Sequence, residues 1–218
     1  MTDREPPGGC CFDEWAAQNA KRARSKETVA PITTALLAAL EAAGLEGRTV
    51  LDVGCGTGDL ALAALAHGAS RAHGCDLGTG SIEHARELAG ERGLADRSAF
   101  EVADGSVATL PPADVVVLNR VICCYPDARA LLDNTLGAAG SIYALSAPVD
   151  RGLPAIYNRI YVAVSNAWYA LRPSRFRGLR VFVHDLSVVD GWIRAAGFAP
   201  VTRGRRRLIW EFAVYSRT

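Results

Sequence analysis

From residue 45 onward, short apolar runs alternate with stretches in which apolar side chains recur every three or four positions. TVLDV (49–53), RAHGCD (71–76), SAFEV (98–102), ADVVVLN (113–119) and GSIYALS (140–146) have the length and composition of strands. DLALAALAHG (59–68), SIEHARELAGERG (81–93) and the segment from Pro126 to about Leu136 have the period of helices, and Gly68 stops the first of them. The first and fourth strands are continuous apolar runs, as expected where helices cover both sheet faces. Strand alternating with helix predicts an α/β, doubly wound, mostly parallel sheet.

The flanks read differently. Behind a leader to about Gly9, residues 13–29 (DEWAAQNAKRARSKETV) are polar and helix-permissive, and Pro31 opens an apolar helical stretch that ends at Gly44. After the fifth strand, LPAIYNRIYVAVSNAWYALR (153–172) sets Ile156, Ile160, Val164, Ala167 and Leu171 on one helical stripe, with Tyr157, Tyr161 and Trp168 beside it. Asn158, Arg159, Ser165 and Asn166 interrupt it, which excludes a membrane span. Three readings stand open: a core helix, a lid whose Tyr157, Tyr161 and Trp168 wall a substrate pocket, or the face of a homodimer. RVFVHD then leads into a helix, LSVVDGWIRAAG, and PVTRGRRRLIWEFAVYS reads as two strands joined around Gly204, an antiparallel hairpin on the sheet edge that completes seven strands. The chain reads as one domain: a helical leader (1–44), a core (45–147), an insertion (148–182) and a carboxyl-terminal helix and hairpin (183–218).

Composition narrows the function. The 218 residues, half of them hydrophobic, suffice for one core. The start, MTDREPPGG, lacks the basic and apolar segments of a secretory signal, so a cytoplasmic protein is expected. Six cysteines (Cys10, Cys11, Cys55, Cys75, Cys123, Cys124) show no C-x-x-C and no histidine at zinc spacing, so reduced thiols and no metal are expected. Residues 1–150 carry 12 basic and 20 acidic side chains, residues 151–218 carry 12 and 3. That basic last third would attract an anionic substrate, nucleic acid or acidic partner. Its cations are all Arg and lie within the core pattern rather than in a tail, which argues against nucleic acid.

VLDVGCGTG (50–58) carries the chemistry. A dinucleotide turn needs G-x-G-x-x-G, but the third position here is Asp59, whose carboxylate would repel a pyrophosphate. The run instead resembles the first motif of class I S-adenosylmethionine-dependent methyltransferases. That resemblance, over roughly residues 45–147, implies a Rossmann-like fold and S-adenosylmethionine as cofactor. It implies that Gly54, Cys55, Gly56 and Gly58 form the turn beneath the methionine portion and that Asp52 holds the ammonium. Asp76, ending the second strand, would take the ribose hydroxyls, with Leu77 against the adenine. Asp104 and Gly105 would meet the adenine amino group, and Asn119 and Arg120 would face the methionine and the acceptor.

The acceptor is decided outside that core. The segment after the fourth strand, VICCYPD, lacks the Asn/Asp-Pro-Pro signature of adenine-N6 methylation, and Cys123 and Cys124 read as small packing residues before arsenic ligands. The order Trp15, Tyr125-Pro126, SAP, aromatic insertion, VHD and AGF is similar to the magnesium-protoporphyrin O-methyltransferases, whose acceptor is a porphyrin propionate. The usual His-Tyr-Pro of that family is Cys124-Tyr125-Pro126 here. A small acidic or phenolic acceptor is therefore expected; the alternatives are an RNA or protein methyltransferase and a noncatalytic cofactor-binding partner subunit. A carboxylate or thiolate acceptor needs no base, whereas a phenol needs one, worth about 10² to 10⁴ in rate. His184 and Tyr125 are the candidate catalytic residues.

Overall fold

Strand residues with alternate side chains buried on opposite faces divide the interior into two cores. Val50, Val115, Val117, Ile142 and Ala144 belong to one, and Leu51, Val53, Val116, Leu118 and Tyr143 to the other. The computed structural model describes residues 30–171 and 179–218. The expected helix 13–29 with Trp15, and Cys10 and Cys11, lie outside the described residues.

In chain order the elements are α1 (Pro31–Ala42), β1 (Thr49–Val53), α2 (Asp59–Ala66), β2 (Arg71–Asp76), α3 (Thr79–Glu91), β3 (Ser98–Val102), β4 (Ala113–Asn119), a 3₁₀ turn (Ile122–Cys124), α4 (Ala128–Ala138), β5 (Ala139–Pro148), α5 (Gly152–Ala170), α6 (Leu186–Ala195), β6 (Phe198–Arg206) and β7 (Trp210–Arg217). They form one seven-stranded sheet in the order β3-β2-β1-β4-β5-β7-β6. The first five strands run parallel, and β7 is antiparallel to both β5 and β6. Helices α1, α2 and α3 cover one face, α4 and α6 the other. The doubly wound Rossmann-like fold with an antiparallel carboxyl-terminal hairpin is the one expected.

Strand order reverses between β1 and β4, and in such sheets ligands settle outside the carboxyl ends at that point. Asp52 follows Val50 in facing α2, a carboxylate in an otherwise apolar layer.

Three local expectations are corrected. The hairpin does not turn at Gly204, which sits inside β6 opposite Phe212; a Cβ there would lie 2.6 Å from the Phe212 ring, so this glycine admits the ring rather than bending the chain. The turn is Arg207–Ile209, with Arg207 and Leu208 at φ +49° and +60°. Helix α4 begins at Ala128 rather than Pro126, because Asp127 caps it by accepting from the Ala130 N–H. Strand β5 continues to Pro148, carried on by pairing with β7 as far as Trp210.

Candidate active site

The turn after β1 is built from glycines in the left-handed region, where residues with a Cβ are disfavoured. Gly54, Gly56 and Gly58 have φ of +72°, +55° and +77°. A Cβ on Gly54 would lie 2.5 Å from Val121, and one on Gly58 3.0 Å from the Phe100 ring, so these two let neighbouring elements close on the turn. A Cβ on Gly56 would meet nothing within 4 Å, because this side of the turn faces a cavity of about 610 Å³.

The cavity lies over the carboxyl ends of β1, β2 and β4 and against α5. Its floor includes Asp52, Gly54, Cys55, Gly56, Asp76, Leu77 and Gly105. Tyr157 and Tyr161 of α5 line it too. Asp76 is held rigidly: Oδ2 accepts from the Gly56 N–H at 2.9 Å and Oδ1 from the Gly78 N–H at 2.8 Å. Its two oxygens are thus fixed at the end of β2, beside the glycine turn.

Asp52 is 1% exposed, and neither carboxylate oxygen has a hydrogen-bond partner among the described residues. Burial pushes its carboxyl up to about 7, with Asp76 and Asp59 adding repulsion; the Ala61 amide pulls the other way without reaching hydrogen-bond geometry. A buried orphan carboxylate is costly, by about 1–3 kcal/mol or more. Its place beside a cavity is where a donor-bearing or cationic ligand would complete it.

Behind the floor, Asp104 Oδ1 accepts from the Ser106 N–H (2.9 Å), the Ser106 hydroxyl (2.7 Å) and the Tyr125 hydroxyl (3.0 Å). Asp104 and Gly58 do not themselves line the cavity, whereas Gly105 does, and a Cβ on Gly105 would collide with Val53 at 2.3 Å. Asn119 spends its side chain on scaffolding: Nδ2 donates to Thr33 Oγ1 of α1 (2.9 Å), and Oδ1 accepts from Ser146 Oγ of β5 (2.7 Å). Arg120 follows with φ +66°, its N–H donating to Ser146 Oγ at 3.0 Å. Its guanidinium lies 5.4 Å from the centre of the Trp210 ring and makes no ion pair among the described residues.

Both candidate bases have hydrogen-bond partners elsewhere in the fold. His184 Nε2 meets the carbonyls of Ile122 (2.8 Å) and Tyr125 (3.0 Å), two acceptors that require it to carry the proton, and the ring does not line the cavity. His184 therefore pins the 3₁₀ turn to the segment before α6. Tyr125 does line the cavity, but its hydroxyl donates to Asp104, and burial with the Asp104 charge pushes the phenol well above its ordinary value. Trp168 is also misplaced by the sequence reading: its ring stands edge-on to Tyr169 and lies off the cavity wall.

Sequence reasoning missed Thr33, Asn158, Tyr169, Phe182 and Trp210, all of which line the cavity. Tyr169 continues the helical spacing of Tyr157 and Tyr161 and was findable. Trp210 was hidden by placing the hairpin turn at Gly204. Cys123 and Cys124 both line the wall with their sulfurs 4.0 Å apart. The Cys123 thiol is raised by its bond to Cys124 and by burial, while that bond and the Arg120 charge lower Cys124. Among the described residues no group of three or more His, Cys, Asp or Glu could hold a metal ion.

Residues 51–140 match a family model described as a methyltransferase domain. The chain is similar to ribosomal protein L11 methyltransferases: 42% identical over 89 residues to that of Pectobacterium atrosepticum, covering 41% of this chain and 30% of the relative. With that of Aeromonas hydrophila it is 30% identical over 167 residues, covering 77% of this chain and 51% of the relative. It thus spans about half or less of these relatives' length. Among solved structures, magnesium protoporphyrin IX methyltransferase from Synechocystis PCC 6803 with bound SAH is 19% identical, covers 95% of this chain and 96% of that one, and superposes with a TM-score of 0.71. An O-methyltransferase family 2 protein from Planctomyces limnophilus in complex with apigenin is 18% identical, covers 100% and 63%, and also gives 0.71. At these identities the likeness establishes the fold.

Proposed function

We propose, from the premise that residues 51–140 are a methyltransferase domain of the class I S-adenosylmethionine-dependent superfamily, that this protein transfers a methyl group from S-adenosylmethionine to a small-molecule acceptor. One observation carries the reading: a buried, unpartnered carboxylate, Asp52, lies under an open glycine turn at the floor of a cavity whose far wall is aromatic.

When bound, the cofactor supplies a methyl group activated by positive sulfur, and positioning then provides most of the catalysis. The chain's own residues have definable parts. Asp52 accepts from the ammonium, and Asp76, fixed by two backbone N–H groups, accepts from ribose hydroxyls. Leu77 and Gly105 flank the adenine, and Asp104 offers Oδ2, the oxygen without a partner among the described residues. Tyr157, Tyr161, Tyr169 and Trp210 exclude water around the acceptor, and Arg120 holds an anionic group on it. No histidine lines the cavity among the described residues, which favours an acceptor already anionic at neutral pH, a carboxylate before a phenol. Porphyrins and small aromatic acids are the first acceptors to screen.

Calorimetric titration with S-adenosylhomocysteine, with NADH as control, tests the premise; Asp76→Ala should abolish the binding, and unchanged affinity would refute the site. A second reading, methylation of a protein side chain, is favoured by the names of the curated relatives. Transfer of labelled methyl groups to a ribosomal-protein fraction but to no small acid would install it instead. Turnover by the purified chain alone would exclude a noncatalytic partner subunit.

A further inference from the structure

Helix α5 is attached to the body along a narrow strip. Only Ala155 and Asn158 of its residues are buried, and Asn158 Nδ2 ties it to the carbonyls of Val149 (2.9 Å) and Ile209 (3.0 Å). On the outer side, Leu153, Ile156, Ile160, Val164 and Leu171 are 56–82% exposed, with Tyr157 and Tyr161 along one edge. Their spacing makes one stripe about 28 Å long at 1.5 Å per residue. An exposed apolar patch of this extent marks a surface that meets something.

The β6–β7 turn adds an independent observation. The Ile209 N–H donates to the Arg207 carbonyl at 2.7 Å, closing the chain tightly around Leu208, which is left-handed and 74% exposed. A leucine held in a disfavoured conformation with its side chain in solvent gains nothing from the fold, so the position points outward for a reason. The Asn158–Ile209 bond sets this tip beside α5.

The charged side chains carried by α5 and by the β6–β7 turn have one sign. No acidic residue occurs between Asp150 and Asp185 or between Asp190 and Glu211. Glu211 is buried and bound by Arg151 (2.8 Å) and Arg205 (3.0 Å), while Arg159, Arg206 and Arg207 are exposed. A second copy of the chain would set two cationic rims against each other, and a nucleic acid would engage the arginines but leave the apolar stripe uncovered. An anionic lipid surface satisfies both, taking apolar side chains below the headgroups and arginines among them.

We propose that the outer face of α5 and the Leu208 tip dock this protein on bilayers containing anionic lipid, with α5 lying in the interface plane. It does not span: no helix among the described residues is long and apolar enough to cross a membrane. Tyr157 and Tyr161 border both the stripe and the cavity, so the cavity opens beside the docked face.

Sedimentation with vesicles of phosphatidylcholine, with and without about one-third phosphatidylglycerol, tests this. The full chain should bind the anionic vesicles and not the neutral ones. The double variant Ile156→Glu/Ile160→Glu, at two positions that do not line the cavity, should partition at least about tenfold more weakly with unchanged Tm and unchanged affinity for S-adenosylhomocysteine. Arg206→Gln/Arg207→Gln should lose about fivefold per arginine. Absence of vesicle binding, or glutamate variants that bind like the parent, overturns the proposal. A parent dimer that the glutamates dissociate, without vesicle binding, assigns the face to a second copy. RNA binding that the arginine pair abolishes and the glutamates leave intact, again without vesicle binding, assigns it to nucleic acid.

Discussion

Two walls of one cavity are built on opposite principles. The floor is backbone: a glycine turn, strand ends and carboxylates fixed by N–H groups or sealed in the core. The opposite wall is side chain: Tyr157 and Tyr161 project from α5, which buries only Ala155 and Asn158, and Trp210 joins them from the end of β7, where it is paired to both β5 and β6. Around the floor Leu60 and Leu62 are buried, whereas Leu153 and Ile160 on α5 stand in solvent. The difference teaches that substitutions in the floor should disturb folding and cofactor binding together, whereas those in the α5 wall should change function alone.

Gly54→Ala is the most severe way to test it. Its φ of +72° costs a side-chain-bearing residue about 1–2 kcal/mol, and the 2.5 Å clash with Val121 adds about 1–3 kcal/mol of overpacking. A loss of about 2–5 kcal/mol in urea unfolding is expected, with S-adenosylhomocysteine binding lost as well. A folded, stable variant that merely binds weakly would break the link between the two.

Asp52→Asn comes next and moves stability the other way. Its folded pKa of about 7 lies above the unfolded value, so the folded chain binds the extra proton, and stability falls as pH rises from about 4 through 7. Removing the charge should stabilise the unliganded protein by about 1–3 kcal/mol at pH 8 and flatten that fall, while weakening the cofactor analogue about 10- to 100-fold. Binding by the parent near pH 7 should release protons, seen as different heats in buffers of different ionisation enthalpy. A destabilised Asn variant would mean that the carboxylate already has its partner.

The same division explains what was legible in the sequence. The strands and the glycine turn follow from local period and from a motif whose spacing reflects backbone geometry. Asp52, Asp76 and Asp104 stand at strand ends, where the chain dictates position. The roles of Tyr125 and His184 were not legible, since each is decided by a partner far along the chain: Asp104 for one, the carbonyls of Ile122 and Tyr125 for the other. Gly204 read as a turn because glycine signals one locally, while the Phe212 ring that requires it lies eight positions on.

Tyr161→Ala sharpens the comparison from the other wall. Tyr161 stacks on Tyr157 at 6.3 Å between ring centres and is more than half exposed, so truncation should cost less than about 1 kcal/mol. Affinity for S-adenosylhomocysteine should stay within threefold, while kcat/KM for any acceptor found should fall about tenfold or more. Loss of cofactor binding would place Tyr161 in the floor's half of the site.

The smallest expected effect is at Leu208, and its sign is the informative part. Glycine relieves about 1 kcal/mol of left-handed strain but adds unfolded-state freedom worth about 0.5–1 kcal/mol. Those terms nearly cancel, leaving Leu208→Gly neutral or more stable by up to about 0.5 kcal/mol in urea unfolding. A side chain that is 74% exposed has little further contribution to lose. Destabilisation by more than about 1 kcal/mol would show that Leu208 packs against the body, and the tip would then belong to the core-dictated half of the molecule. Neutrality combined with weakened vesicle binding would show a residue retained at the expense of local backbone comfort for a contact that the folded chain does not itself provide.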